Sequence, residues 1–261
     1  MEPPIMTCAN RSRPSLRRAV GQGLWGILVG LALVGCQGTV APPTSPDPAP
    51  NPPASNPPTQ ENSASIRDIV APPVWVRPFQ GEETTAQVGM PLQGEDTIRT
   101  EAPALVEIGL GSVVFRLGGN ASLTLRPNQT LQLATGQMIT WLEGTPSGPV
   151  TIQTPVGAAG IRGTTVFVNI DEDPQAPVEI FAWEGEVTFQ PTGATEAVVI
   201  RDGEQLLVRP GEIDVAALQQ QVRRFGSEEF RQRLETSPLI NNFDQPLSTQ
   251  ADIEAVGEGL D

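Results

Sequence analysis

Arginine is the only basic side chain here: the 16 Lys+Arg positions contain no lysine, and histidine and tyrosine are absent too. Acid–base and nucleophilic chemistry therefore rests on carboxylates, hydroxyls and guanidinium groups. No Ser-His-Asp triad, Cys-His pair or imidazole metal site can be assembled. Glu184 and Glu186 flank Gly185, a carboxylate pair of the type that cleaves glycosidic bonds. Alternate residues around so tight a turn point to solvent, so the pair is not expected to act. Asp171-Glu172-Asp173-Pro174 offers hard oxygen ligands suited to calcium but lacks the glycine spacing of a calcium loop, and it reads as a solvated acidic turn. Arg162, held between Gly160 and Gly163, needs a partner for its guanidinium. It is either a structural clamp on a carboxylate or on carbonyls, the favoured reading, or a residue that meets a partner. Among Trp75, Trp141 and Trp183, Trp183 before the Glu-Gly-Glu turn is the ligand-facing candidate. No catalytic residue, metal site or cofactor is expected.

The stretch that would position these groups is TPVGAAGIRGTTVFVN, residues 154–169. Its glycines mark backbone that turns tightly or passes close to a neighbour. Val166, Val168 and Ile170 then fall on one strand face at period two. Around it, from 66 to 210, short alternating runs are broken by turn signals every eight to twelve residues. Turns are expected at Gly94-Glu95-Asp96, Gly111-Ser112, Gly118-Gly119-Asn120, Arg126-Pro127-Asn128 and Thr135-Gly136. The pattern predicts an all-β domain of short antiparallel strands in a sandwich, roll or solenoid. A helical tail follows over 211–236, with Val215, Leu218 and Val222 at helical spacing and Ser227 placed to cap a second helix. It is positioned to cover a sheet edge. Residues 237–261, acidic and sparse in apolar groups, read as loosely ordered.

The start of the chain has a different character. Arg11, Arg13, Arg17 and Arg18 precede an apolar run over 20–34, and Leu33-Val34-Gly35-Cys36 follows. This resembles a bacterial lipoprotein signal, which implies removal of residues 1–35 and a lipid on Cys36. The run falls short of the ~20 residues of a spanning helix. Cys8 lies in the discarded part, so the folded domain would contain no free thiol and no disulfide. Residues 36–65 form a disordered linker, with nine prolines between Ala41 and Pro58. Beyond residue 35 the chain carries 12 arginines against 29 acids, a net charge of −17. Such a surface repels phosphate, so nucleic acid is not an expected partner. The expected location is the cell envelope, lipid-anchored and facing the periplasm. Gln37 favours an outer-membrane over an inner-membrane destination.

Five segments resemble a FecR-type periplasmic domain. They are Gly94-Glu95-Asp96-Thr97-Ile98-Arg99-Thr100, Gly111-Ser112, residues 154–168, Trp183-Glu184-Gly185-Glu186-Val187, and Gly203-Glu204-Gln205. The resemblance runs over roughly 85–210. It implies an all-β, non-enzymatic module that relays a signal from an outer-membrane receptor to a sigma factor, typically in ferric-siderophore uptake. Signalling members carry a cytoplasmic helical segment and a membrane-spanning helix. Here fewer than twenty residues precede the apolar run, so what carries over is the binding or sensory module. Its expected partner is an envelope protein, met through a free strand edge, or a cell-wall polymer, with the membrane reached through the lipid. The alternative is a structural scaffold or assembly factor of an envelope complex or cell wall.

Overall fold

The computed structural model describes residues 64–145 and 148–260. The signal segment, Cys36 and the linker up to residue 63 lie outside the described residues. Among those described there are sixteen strands and four helices, and no helix is long and apolar enough to cross a membrane. The expected all-β domain with a helical tail is what the chain forms.

The strands in chain order are β1 (Ala64–Val70), β2 (Val74–Arg77), β3 (Thr84–Thr85), β4 (Pro91–Leu92), β5 (Thr97–Thr100) and β6 (Leu105–Leu110). The two longest follow, β7 (Val113–Arg126) and β8 (Thr130–Leu142). Then come β9 (Val150–Thr154), β10 (Gly157–Ile161), β11 (Thr165–Ile170), β12 (Val178–Glu184), β13 (Val187–Pro191), β14 (Val198–Ile200) and β15 (Glu204–Val208). Helix α1 (Val215–Gln221), the two-residue β16 (Arg223–Arg224), α2 (Ser227–Thr236), α3 (Pro238–Asn241) and α4 (Gln250–Glu258) complete the chain.

All the strands belong to one hydrogen-bonded network that folds over on itself at the middle of the β7–β8 hairpin. Residues 113–118 of β7 pair with 142–137 of β8, the register then slips, and pairing resumes from Ser122 opposite Thr135. That bulge is the corner. Before it, β7 and β8 lie in a layer with β1, β6, β11, β12 and β15. Beyond it they lie in a second layer with β2, β3, β5, β9, β10, β13 and β14. The Gly118-Gly119-Asn120 and Thr135-Gly136 signals, expected as turns between strands, are the two sides of this corner. Asn120 holds it. Its Oδ1 accepts from Ala102 N, its Nδ2 donates to Glu172 at 2.7 Å, and Thr135 Oγ1 donates to its carbonyl.

One core fills the space between the layers, with Phe115, Met138, Val166, Val168 and Ile180 facing Ile98, Leu123, Leu131, Ile152 and Phe189. A second core lies on the outer side of the first layer. There Val114, Ile139, Trp141, Phe167, Phe181 and Trp183 are buried by Phe225, Phe230, Leu239, Phe243 and Ile253 of the C-terminal segment. This corrects two expectations. Residues 237–260 are not loose: they carry α3 and α4 and bury Leu239, Ile240 and Ile253. The tail covers a sheet face, not merely an edge. The reason is visible in the strands. Val113, Val114, Phe115 and Leu117 in β7, interrupted by Arg116 alone, and every residue of Ile180–Trp183 in β12 are apolar, so both faces must be dry. Smaller differences concern boundaries. β1 starts two residues inside the expected linker, and α2 has Gly226 rather than Ser227 at its N-cap.

The sheet's terminal strand β14 is capped by a side chain. Gln219, projecting from α1, accepts from Val199 N at 2.9 Å and donates to Val199 O at 3.0 Å, as a further strand would. Gln219→Ala is expected to cost about 1 kcal/mol. It should also raise self-association, read by sedimentation velocity across a concentration series.

Candidate functional site

Arg162 is exposed in the β10–β11 turn, and no hydrogen bond or ion pair joins it to another described residue. The clamp role falls instead to Arg116, which is fully buried in β7. Its Nε donates to Glu107 at 2.8 Å, Nη1 to the carbonyls of Leu239 and Ile240, and Nη2 to that of Gln245. The guanidinium lies 4.0 Å over the Phe243 ring. Burial lowers the Arg116 pKa, and the hydrogen bond to Glu107 opposes that. A second arginine, Arg233 of α2, pairs with Glu179 at 2.7 Å and lies over the rings of Phe181 and Phe167. Together they pin the C-terminal segment to the first layer, so that face is closed to a ligand.

Trp183 belongs to this closed face. It is 1% exposed, packed edge-on against Phe181 and Phe230, and not ligand-facing. Trp75 is half-buried with Arg99 stacked over its ring at 4.0 Å. The cleft of about 490 Å³ between α2 and α4 is lined by Ser227, Phe230, Arg231, Leu234, Glu254 and Glu258.

Glu184 and Glu186 diverge. Glu186 is exposed, 3.5 Å from Arg201. Glu184 is half-buried and accepts from Thr165 N at 2.9 Å. Burial raises its pKa, the Thr165 hydrogen bonds oppose this, and Asp252 and Asp202 add to it. A carboxyl with a folded pKa above its unfolded one favours the folded state when protonated. Its contribution is present in acid and lost as pH rises through the folded value. Glu184→Gln keeps an acceptor for Thr165 and removes the charge. It is expected to raise stability by about 0.5–1 kcal/mol near neutral pH, with the gain vanishing in acid, as urea denaturation at both ends would show. The Asp171–Asp173 stretch is exposed, and the Asp171 and Asp173 carboxylates accept from the backbone N–H of Asp173 and Gln175, closing local turns.

Among the described residues, what remains open is the outer face of the second layer. Its strands alternate, with apolar residues such as Leu123, Leu131, Ile152 and Phe189 inward and mostly polar residues outward. Strand register aligns the outward residues in two rows. One runs Thr97, Thr124, Gln132, Gln153, Ala158, Gln190 across six strands, with Arg77 beside Thr97. The other runs Thr130, Thr151, Gly160, Thr188, beginning beside Arg126 and ending at Val199. Arg126 pairs with Glu95. The sequence contained this face in its alternation, but the rows themselves depend on register between strands far apart in the chain.

The glycines of the central stretch take part. Gly157 lies where a Cβ would come within 2.4 Å of the Gln190 carbonyl, so β10 packs tightly on β13. Gly160 and Ala158 point outward and form a low floor between the side chains of β9 and β13.

Residues 96–188 match a family model described as FecR protein. The match runs from the start of β5 into β13, inside the stretch of the resemblance. No curated protein matches the chain. Two crystal structures of a candidate anti-sigma factor from Parabacteroides distasonis are similar at 12% and 11% identity, with TM-scores of 0.33 and 0.34. They cover 39% and 47% of this chain and 48% and 55% of their own, so the chain spans about half the length of the structures it matches.

Proposed function

We propose that the chain is a regulatory binding module of the cell envelope that works without catalysis and is held at the membrane by a lipid on Cys36. The observation that carries this is the FecR match over residues 96–188, which takes in most strands of both layers. The side-chain inventory supports the non-catalytic part, because histidine, lysine and tyrosine, which serve most often beside carboxylates as general acids and bases, are missing. A relay in ferric-siderophore uptake is the specific case brought by the family resemblance. The partner would be an envelope protein or a cell-wall polymer, reached from an outer-membrane anchor across the proline-rich segment.

In-cell crosslinking of the full chain tests the reading. The expected outcome is a discrete adduct with an envelope protein or with cell-wall material. A chain that forms no adduct, or that turns over a small molecule when purified, rejects it. Cys36→Ser is expected to move the protein from the membrane fraction to the soluble fraction with its melting temperature unchanged; retention at the membrane would reject the lipid anchor.

A further inference from the structure

We propose that the open outer face of the second layer is a platform for an uncharged, extended polysaccharide lying across the strands. This rests on the envelope-binding reading and names the ligand of that module.

Four observations carry it. First, between their end arginines the two rows consist of threonine, glutamine, alanine and glycine up to Val199, with no carboxylate, in a chain holding 30 acids. Hydroxyls and primary amides both donate and accept, as sugar hydroxyls do. Thr97 and Thr124 share one hydrogen bond, Gln132 Oε1 accepts from Arg126 and Gln190 Nε2 donates to the Ala194 carbonyl, which leaves their other donors and acceptors for a sugar. Second, neighbouring strands lie ~4.8 Å apart, so the first row spans ~25 Å with one such side chain on every strand except β10, which presents Ala158. That step is close to the rise of one sugar along an extended β-linked glycan. Third, Ala158 and Gly160 lower the floor at β10 between Thr151 and Gln153 on one side and Thr188 and Gln190 on the other, so a chain can settle against the sheet. Fourth, the face opposes other ligands. The rows themselves contain none of the aromatic anchors of protein interfaces; the exposed Phe79 lies at one end, lining a cleft with Thr97, Thr124 and Arg126. Its end cation Arg126 is paired with Glu95, and the chain's net charge of −14 repels anionic polymers and lipids.

The same geometry sets the character of the binding. Arg99 occupies a face of the Trp75 ring, so sugar stacking there is replaced by hydrogen bonding along the rows. Each sugar then contributes little, and affinity must grow with chain length.

The test uses the purified full chain in detergent and isothermal titration with cellohexaose and chitohexaose, each compared with its disaccharide. Binding of at least one hexasaccharide is expected, at least tenfold tighter than its disaccharide. Ala158→Glu, which raises and charges the floor at an outward position, should abolish it. Gln132→Ala/Gln153→Ala should weaken it at least tenfold, and Glu235→Ala on α2 should leave it unchanged. Thermal melting confirms that each variant is folded. Should Ala158→Glu fail to fold, the double variant decides. No binding of either sugar, binding indifferent to these substitutions, or binding only to dextran sulfate or phosphatidylglycerol vesicles overturns the proposal. Crosslinking of the same chain to an envelope protein would then leave the binding-module reading standing without the glycan; failure of both would remove both.

Discussion

Gly136→Val is expected to leave the chain without a cooperative unfolding transition at room temperature. Gly136 sits on β8 at the fold-over corner with φ of +88°, and a Cβ there would lie 2.2 Å from Ala121 Cα and 2.5 Å from Ala121 N. Those are backbone atoms of the facing bulge, held by Thr100 Oγ1 accepting from Ala121 N at 3.0 Å. Nothing flexible can yield. The positive φ alone costs a β-branched residue ~1–2 kcal/mol. Displacing the corner would separate the two layers over the main core, for a total above ~4 kcal/mol, a large part of the ~5–15 kcal/mol that stabilises a typical domain. The comparison is Gly163→Ala. Gly163 also has positive φ, +64°, but no atom lies within 4 Å of its would-be Cβ, so about 1 kcal/mol is expected. Urea unfolding followed by tryptophan fluorescence separates them. A Gly136→Val protein that melts like Gly163→Ala would show that the corner is not where the layers are joined.

Arg116→Met is expected to destabilise the chain by about 3–5 kcal/mol, because it strands the Glu107 carboxylate in the interior along with the carbonyls that Arg116 now serves. Glu107 is only 9% exposed. Three of those carbonyls belong to residues 239–245, so the loss should concentrate in the C-terminal segment. Thermolysin is expected to cut near Leu239 and Phe243 at rates at least tenfold above the parent. Arg116→Lys should rescue little, since one ammonium cannot span a carboxylate and three carbonyls in a plane. Adding Glu107→Gln to Arg116→Met should recover part of the stability by removing the unpaired charge. A stable Arg116→Met protein whose C-terminus stays protected would show that apolar packing of α2–α4 alone holds the cap.

Particular elements show how far the sequence could be read. The β11 triplet Val166, Val168 and Ile170 was legible because period two survives any tertiary context. The need for an arginine clamp is also legible, but the sequence points to Arg162 and the structure buries Arg116. Arg162 stood out between glycines, whereas Arg116 looked like one polar residue in an apolar run. The polar Glu-Gly-Glu turn after Trp183 points to a ligand-facing position, but the ring is buried. The preceding Ile180, Phe181 and Ala182 spell a strand buried on both faces. That was the available signal for both the tryptophan and the helical cap. Gln219 and the outward rows gave no local signal, since each exists only through the register of distant strands.

The sequence alone determined the class of structure and the chemistry shut off from it. Alternation and turn residues act over a few positions, and a missing side-chain type is missing from every fold the chain could adopt. The tertiary structure decided which arginine is enclosed, which sheet face is sealed and which meets solvent. Those outcomes depend on where the β7–β8 hairpin bends and on which surface the last fifty residues settle, and both are set by long-range burial, which no short window of sequence contains.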